Sequence, residues 1–212
     1  MIITKIEQAK KNESRVNIYL DNEFWIGLDK NELLKFNLFK GKEISEDERL
    51  EIEKSSTFTK LVDKVLRYIN IRPRSIKELK DYLKRKDTDD ESIENVIKYA
   101  EDKGYISDLK FAEWYAKNRF SFGKHGVNKI KAELIKKGVK QNIINNVLSS
   151  ETYKSEEFID EQLDNIKEYA KKALKSIKHK DKFDLKQKLI KRLLSRGYEY
   201  SQIKKVIEEL LA

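Results

Sequence analysis

The chain has 212 residues, of which 39% are charged and 39% hydrophobic, and its formal net charge is +9. It contains no cysteine, which excludes disulfides, thiolate metal sites and cysteine nucleophiles. No run of about 18 apolar residues occurs and the first residues lack the form of a signal peptide, so we expect no membrane association and a cytoplasmic location.

The first part of the chain is predicted to be a small strand-containing module. Three short stretches rich in β-branched and aromatic residues follow one another, at 2–8, 15–20 and 23–28. Val16, Ile18 and Leu20 alternate with polar residues, which is typical of a strand with one buried face. Polar turns at 10–13 and 21–22 separate the stretches, so we predict two or three antiparallel strands.

Two helices and a linker are predicted to follow these strands. Asp29 is placed to cap a short helix. Ser45 and Glu48 form a capping-box pattern, which predicts the start of a second helix. The polar residues 55–57 are expected to end that helix and to separate this module, 1–55, from the rest of the chain.

Beyond these residues the apolar positions follow a helical period, and the same two-helix pattern occurs three times. The repeated positions are Leu79, Leu83, Ile93, Val96 and Ile97, then Ile130, Leu134, Ile144, Val147 and Leu148, then Leu189, Leu193, Ile203, Val206 and Ile207. Each set has an i, i+4 pair before an i, i+3, i+4 triplet, which is typical of two amphipathic helices joined by a turn. A further apolar helix precedes each set. We therefore predict a mainly α fold with three tandem three-helix repeats, at 56–104, 105–151 and 152–212.

The central part of the chain carries a combination of residues that is more specific than its periodicity. These residues are Arg72-Pro73-Arg74-Ser75, Glu78, Leu79, Leu83, Gly104 to Asp108, Phe111, Ala112, Tyr115, Arg119, Gly123, Gly126, Ile130, Leu134, Lys137 and Gly138. The pattern resembles that of the RecX family, bacterial regulators of the RecA recombinase. The resemblance implies an elongated, curved array of three-helix repeats that binds RecA and the RecA–DNA filament. It also implies inhibition of recombinase activity in DNA repair, recombination and the SOS response.

Each repeat also resembles a DNA-binding helix-turn-helix, which is an alternative function. A recognition helix should be basic or rich in amides at its N-terminal end. The corresponding window of the first repeat, 89–98, instead has four acidic residues and one lysine, a net charge of −3. Only the second repeat, with Gln141 and Asn142 at the start of its last helix, has suitable amides. We therefore expect at most weak DNA binding that is independent of sequence.

Positive charge recurs instead on the middle helix of every repeat. The windows 77–86, 128–137 and 187–196 have net charges of +3, +3 and +4. Such a surface suits a phosphate backbone or an acidic protein groove, although the same cations also fit a solvated helix face. The predicted partner-binding cations are Lys80, Lys84, Arg85, Lys129, Lys131, Lys136, Lys137, Lys188, Lys191, Arg192 and Arg196.

Three arginines outside the middle helices are added to this predicted surface. Arg72, Arg74 and Arg119 offer planar guanidinium groups, which bind carboxylates and phosphates well at interfaces. The alternative is a structural role, in which they bond carbonyl groups at helix ends.

No catalytic, metal or cofactor site is predicted. The two histidines, His125 and His179, are far apart in the sequence, and no nucleophile–base motif or phosphate-binding loop occurs. We predict a monomeric, non-enzymatic regulator without a cofactor, whose partners are the RecA recombinase and its DNA filament. The alternatives are a helix-turn-helix DNA-binding protein and a basic scaffold for another acidic protein.

Overall fold

The computed structural model describes residues 1–10 and 13–211, which form three strands and ten α-helices. The fold is mainly helical with one small antiparallel sheet, as predicted. Two compact units are present, Met1–Tyr68 and Ile69–Ala212. The division between them falls later in the chain than the boundary predicted after residue 55.

The first unit begins with strands β1 (Ile3–Gln8), β2 (Arg15–Leu20) and β3 (Glu23–Asp29), paired in the order β1-β2-β3. Every second residue of β2 is buried, which confirms the alternation seen in the sequence. Asp21 and Asn22 form the β2–β3 turn with φ values of 48° and 72°, a conformation that Asp and Asn tolerate. The other predicted turn, 10–13, includes residues 11 and 12, which lie outside the described residues.

The helices of this unit begin as predicted, but the second does not end where we expected. Helix α1 (Lys30–Lys35) has a complete capping box built on Asp29. Helix α2 (Glu46–Ile71) opens with reciprocal Ser45–Glu48 hydrogen bonds of 3.1 Å. The linker predicted at 55–57 is wrong, because these residues lie inside α2. The Thr57 hydroxyl donates to the Glu53 carbonyl at 2.8 Å, so this polar side chain is satisfied within the helix.

The second unit contains the repeated helices. They are α3 (Ile76–Lys84) and α4 (Asp90–Asp102) in repeat 1; α5 (Asp108–Ser121), α6 (Val127–Lys136) and α7 (Gln141–Leu148) in repeat 2; and α8 (Glu156–Leu174), α9 (Lys182–Ser195) and α10 (Tyr200–Leu211) in repeat 3. The predicted apolar positions are buried, apart from half-buried Leu148. Repeats 2 and 3 each enclose their own hydrophobic core.

Two helix starts in the second unit each have two adjacent residues that could act as the cap. Helix α4 is capped by Asp89 rather than Thr88, and the Asp89 side chain accepts from the Ser92 N–H. Helix α5 is capped by Ser107 rather than Asp108. The Asp108 carboxylate instead accepts a 2.9 Å hydrogen bond from the Ile76 N–H at the start of α3. Asp108 therefore joins repeat 2 to repeat 1, which the local pattern does not reveal.

Candidate partner-binding surface

The middle helices α3, α6 and α9 are joined end to end by hydrogen bonds to backbone carbonyls. At the junction of repeats 2 and 3, the Gly126 and Asn128 N–H groups donate to the carbonyls of Arg196 and Gly197, both at 3.0 Å. No side chain among the described residues caps α6. The two carbonyls that directly follow α9 therefore accept from N–H groups at the N-terminus of α6, where a helix leaves such groups without an intrahelical partner.

At the junction of repeats 1 and 2, side chains rather than backbone N–H groups donate to the carbonyls at the end of the middle helix. The Ser75 hydroxyl donates to the Lys137 carbonyl at 2.8 Å, and the Lys77 ammonium donates to the Lys136 carbonyl at 3.1 Å. Gly138 and Gly197, which follow α6 and α9, have left-handed φ values of 81° and 84°. In both cases the chain turns sharply after the middle helix and contacts the N-terminal end of the middle helix of the preceding repeat.

A buried tyrosine reinforces the junction of repeats 2 and 3. Tyr198 is 1% exposed, and its hydroxyl donates to the Lys124 carbonyl at 2.6 Å. Burial raises the pKa of Tyr198 to about 12. The carbonyl of Lys124 would lose this donor if the hydroxyl were removed.

We expect Tyr198→Phe to lower the free energy of unfolding by about 1 kcal/mol, the typical net contribution of a buried hydrogen bond. Urea denaturation followed by circular dichroism measures this loss. Tyr200→Phe is the matched control in the same repeat, because Tyr200 is 58% exposed. Equal stability of the two variants would contradict a structural role for the Tyr198 hydroxyl.

An ionic cluster at the junction of repeats 1 and 2 holds two of the predicted partner-binding cations. Arg72 makes a bidentate contact with Glu78, at 3.0 and 3.1 Å, and Lys137 reaches the same carboxylate at 2.5 Å. Arg72 also bonds the Pro73 carbonyl at 2.8 Å. Burial by itself raises the pKa of Glu78, but the hydrogen bonds from Arg72 and Lys137 outweigh it and lower that pKa to about 2. Both cations are therefore already partnered within the protein.

Arg119 belongs to a second cluster within repeat 2. Its Nε lies 2.9 Å from a Glu133 carboxylate oxygen and donates to the Tyr115 hydroxyl at 3.0 Å. The two clusters border one cleft of about 470 Å³ between the repeats. The cleft is lined by Lys77, Glu78, Asp81, Tyr115, Arg119, Glu133, Lys136 and Lys137. Its three carboxylates largely compensate its four cations.

The remaining cations of repeats 1 and 2 lie in different environments. Lys80 pairs with Glu94 at 2.5 Å and Lys84 pairs with Asp90 at 3.0 Å, so acids of α4 neutralise the cations of α3. Of the predicted cations in repeats 1 and 2, four form no ion pair with another residue among 1–10 and 13–211. They are exposed Arg85 and Lys136 and half-buried Lys129 and Lys131. Half-buried Arg74 lies in the loop before α3.

The cations of repeat 3 surround a separate groove, which we call the repeat-3 cleft. It has a volume of about 440 Å³ and is lined by Ile177, Lys178, Lys188, Lys191, Arg192 and Ser195. Helix α9 has five lysines and arginines and one acid, Asp184, which Lys188 contacts at 2.7 Å. Arg196 lies apart from this cleft, because its guanidinium bonds the Gly123 carbonyl and covers the Tyr169 ring. The structure thus divides the predicted surface between two clefts and the exposed helix faces.

No helix in the described part of the chain is long and apolar enough to cross a membrane. No group of three or more His, Asp or Glu side chains among residues 1–10 and 13–211 is placed to hold a metal ion. Burial lowers the pKa of His125, and nearby Lys129 adds to that effect.

The role of Glu78, Gly126 and Tyr198 in joining the repeats was not predicted from the sequence. One signal was present, because Gly138 and Gly197 occupy the same position after the middle helices of repeats 2 and 3. A glycine at a helix end predicts a left-handed residue, but it does not show which segment approaches it.

Comparison with known proteins gives matches along most of the chain. Four family models match in chain order: the regulatory protein RecX N-terminal domain at residues 1–45, and the first, second and third three-helix domains of RecX at 62–99, 107–148 and 160–207. The regulatory protein RecX of Clostridioides difficile is 36% identical over 210 residues, covering 99% of this chain and 96% of that protein. The regulatory protein RecX of Listeria monocytogenes serotype 4a is 35% identical over 199 residues, covering 93% of this chain and 71% of that protein.

Solved structures show the same likeness. A crystal structure of regulatory protein RecX aligns with a TM-score of 0.79 and 25% identity, over 98% of both chains. The crystal structure of RecX from Lactobacillus salivarius aligns with a TM-score of 0.61 and 26% identity, over 72% of this chain and 96% of that one.

Proposed function

Because this chain belongs to the RecX family of regulatory proteins, we propose that it binds the RecA recombinase and the filament that RecA forms on DNA. Binding reduces recombinase activity in DNA repair and recombination. The partner's identity comes from the family resemblance. The observation that supports binding is a set of cations on or next to α3, α6 and α9 that form no ion pair within the described part of the chain: Arg85, Lys129, Lys131, Lys136, Lys191 and Arg192.

The helix-turn-helix alternative is disfavoured by the last helices of repeats 1 and 2. Helix α4 begins with Asp90 and Glu91 beside its cap Asp89, and these charges repel phosphate. In α7 the Gln141 side chain donates to that of Asn145 at 2.7 Å, so these two amides already bond each other. These features favour a protein or filament interface over base reading, with weak sequence-independent DNA binding at most.

The experiment is RecA-catalysed ATP hydrolysis on single-stranded DNA, with RecA from the same organism and increasing amounts of this protein. We expect the rate to fall, and the inhibition to weaken as salt rises, because exposed charges are screened. Unchanged hydrolysis at an excess of this protein over RecA would rule out the proposed inhibition.

A charge-reversal variant tests whether these cations without an ion pair carry this activity. Replacing Arg85, Lys131 and Lys136 with Glu is expected to raise the concentration needed for half-inhibition by about fivefold or more. Each single Ala substitution should have a small effect, because an exposed charge contributes roughly 1 kcal/mol or less. The control carries Arg85→Lys, Lys131→Arg and Lys136→Arg, which keep the charge. Complete loss of inhibition in one single variant that remains folded would replace this distributed surface with a local one.

A further inference from the structure

We infer that the repeat-3 cleft binds an acidic peptide segment that carries an apolar side chain. The cleft lies between α9 and the loop that joins α8 to α9. This inference deepens the proposed function, because it identifies the kind of segment that a protein partner presents. The identity of the partner rests on the proposed function, whereas the chemical class of the ligand is inferred from the residues that line the cleft.

The charge of the cleft is the first reason. Lys188, Lys191 and Arg192 are spaced i, i+3, i+4 on one face of α9, and none of the described residues that line the cleft is a carboxylate. Asp184 contacts Lys188 at 2.7 Å. Lys191 and Arg192 are exposed and form no ion pair within the described ranges 1–10 and 13–211. Their charges are therefore available to carboxylates of a ligand, and arginine adds a planar pair of donors.

The loop side of the cleft is fixed to the helix before any ligand binds. The Lys188 ammonium donates to the Lys178 carbonyl at 3.0 Å. The Arg192 guanidinium donates to the Ser176 hydroxyl at 2.9 Å. These contacts hold the two walls together, so a ligand meets a largely preformed groove and binding costs little conformational entropy.

The floor of the cleft is apolar, and this favours a peptide over a nucleic acid as the ligand. Ile177 lines the cleft and is 7% exposed, and the methylene stems of Lys191 and Arg192 extend the apolar surface. A phosphate backbone can pair with the cations but has no apolar group to cover the floor of the cleft. A peptide with an apolar side chain between acidic residues satisfies both parts.

The cleft between repeats 1 and 2 does not suit such a ligand. Glu78, Asp81 and Glu133 line it and repel carboxylates. Two of its cations, Arg119 and Lys137, are already held by these acids at 2.9 and 2.5 Å.

Fluorescence anisotropy on the full chain tests the inference with three labelled probes. The first is a peptide with phenylalanine between two triplets of aspartate, the second has serine in place of phenylalanine, and the third is a thymidine oligonucleotide of equal charge. We expect the phenylalanine peptide to bind severalfold more tightly than either other probe, because it alone covers the apolar floor of the cleft. Tighter binding of the oligonucleotide would assign the cleft to nucleic acid and overturn the inference.

Variants locate the binding site. Lys191→Glu with Arg192→Glu is expected to weaken binding of the phenylalanine peptide by about tenfold or more, since two attractive charges become repulsive. Lys204→Glu with Lys205→Glu changes two exposed cations of α10 by the same charge and should alter affinity by less than about twofold. Equal losses in the two variants would show unspecific charge attraction and overturn the inference, as would no loss in the first. Because these measurements contain no recombinase, they remain informative if the hydrolysis assay fails.

Discussion

Glu78→Ala is expected to lower the free energy of unfolding of the repeat unit by about 2 kcal/mol at neutral pH. The Glu78 side chain is 17% exposed and bonds both Arg72 and Lys137. Removing it leaves two partly buried cations without their common carboxylate. This is costly because burial has already taken part of their hydration, and the ion pair no longer compensates for that loss. Partial exposure screens the pair, so we expect less than the loss for a fully buried pair.

The effect of Glu78→Ala should depend on pH in a defined direction. The pKa of Glu78 is lowered from its ordinary value of 4.5 to about 2 in the folded protein. A carboxyl with a lowered pKa stabilises the fold above its unfolded pKa and loses that contribution as the pH falls through its folded pKa. The stability difference between wild type and variant should therefore be complete above about pH 5 and shrink progressively toward pH 2.

Urea denaturation at neutral pH and near pH 3 measures both effects. Glu94→Ala is the matched control, because Glu94 also pairs with a lysine but its side chain is 64% exposed. It should change stability by about 0.5 kcal/mol or less. The prediction would be wrong if Glu78→Ala were no more destabilising than Glu94→Ala, or if its effect were the same at both pH values.

The same variant separates two roles of Arg72 and Lys137. If these cations act mainly by joining the repeats, Glu78→Ala weakens recombinase inhibition only to the extent that it unfolds the protein. If they also contact the partner, removal of Glu78 frees their donors, and inhibition measured on the folded variant becomes stronger. The hydrolysis assay at a temperature where the variant is folded distinguishes these results.

Gly126→Ala is expected to separate repeats 2 and 3 and to cost about 3 kcal/mol of folding free energy. A Cβ at this position would overlap backbone atoms of Gly197 and Tyr198. Backbone atoms cannot move aside as a flexible side chain does, so the end of α9 must move away. That movement breaks the hydrogen bonds from the Gly126 and Asn128 N–H groups to the Arg196 and Gly197 carbonyls.

Gly104→Ala controls for the general effect of replacing glycine. Gly104 has a φ of 69°, but a Cβ there meets nothing within 4 Å. Only left-handed strain opposes that change, about 1 kcal/mol. Hydrogen exchange supplies a second readout, because exchange in α9 and α10 should accelerate in Gly126→Ala more than exchange in α3 and α4. Equal losses of stability in the two variants, with uniform exchange, would contradict a junction built on Gly126.

The helices and their order follow from local spacing, which is why they were predicted from the sequence. Apolar residues at i, i+3 and i+4 face one side of a helix whatever the rest of the chain does. Caps were less certain, since a Ser or Asp beside a helix start has several candidate N–H groups. Asp108 illustrates this, because its carboxylate accepts from Ile76 rather than from its own helix.

The end of α2 was predicted wrongly for a related reason. Residues 55–57 are polar and weak helix formers, so the local pattern favours a break. In the structure Ser56 is fully buried and the Thr57 hydroxyl bonds a carbonyl one turn earlier. Packing of α2 within its unit outweighs the small intrinsic preference, as tertiary contacts commonly do.

The sequence by itself determined the repeat count, the helical and strand segments, the family resemblance and the excess of positive charge on the middle helices. Only the tertiary structure decided which of those charges are free. Lys137 meets Glu78 across 59 positions, and Lys84 meets Asp90 in the next helix, whereas Lys191 and Arg192 line a cleft without an acid. The physical reason is that periodicity is set by neighbours along one helix, while charge compensation depends on residues that folding brings together from distant positions.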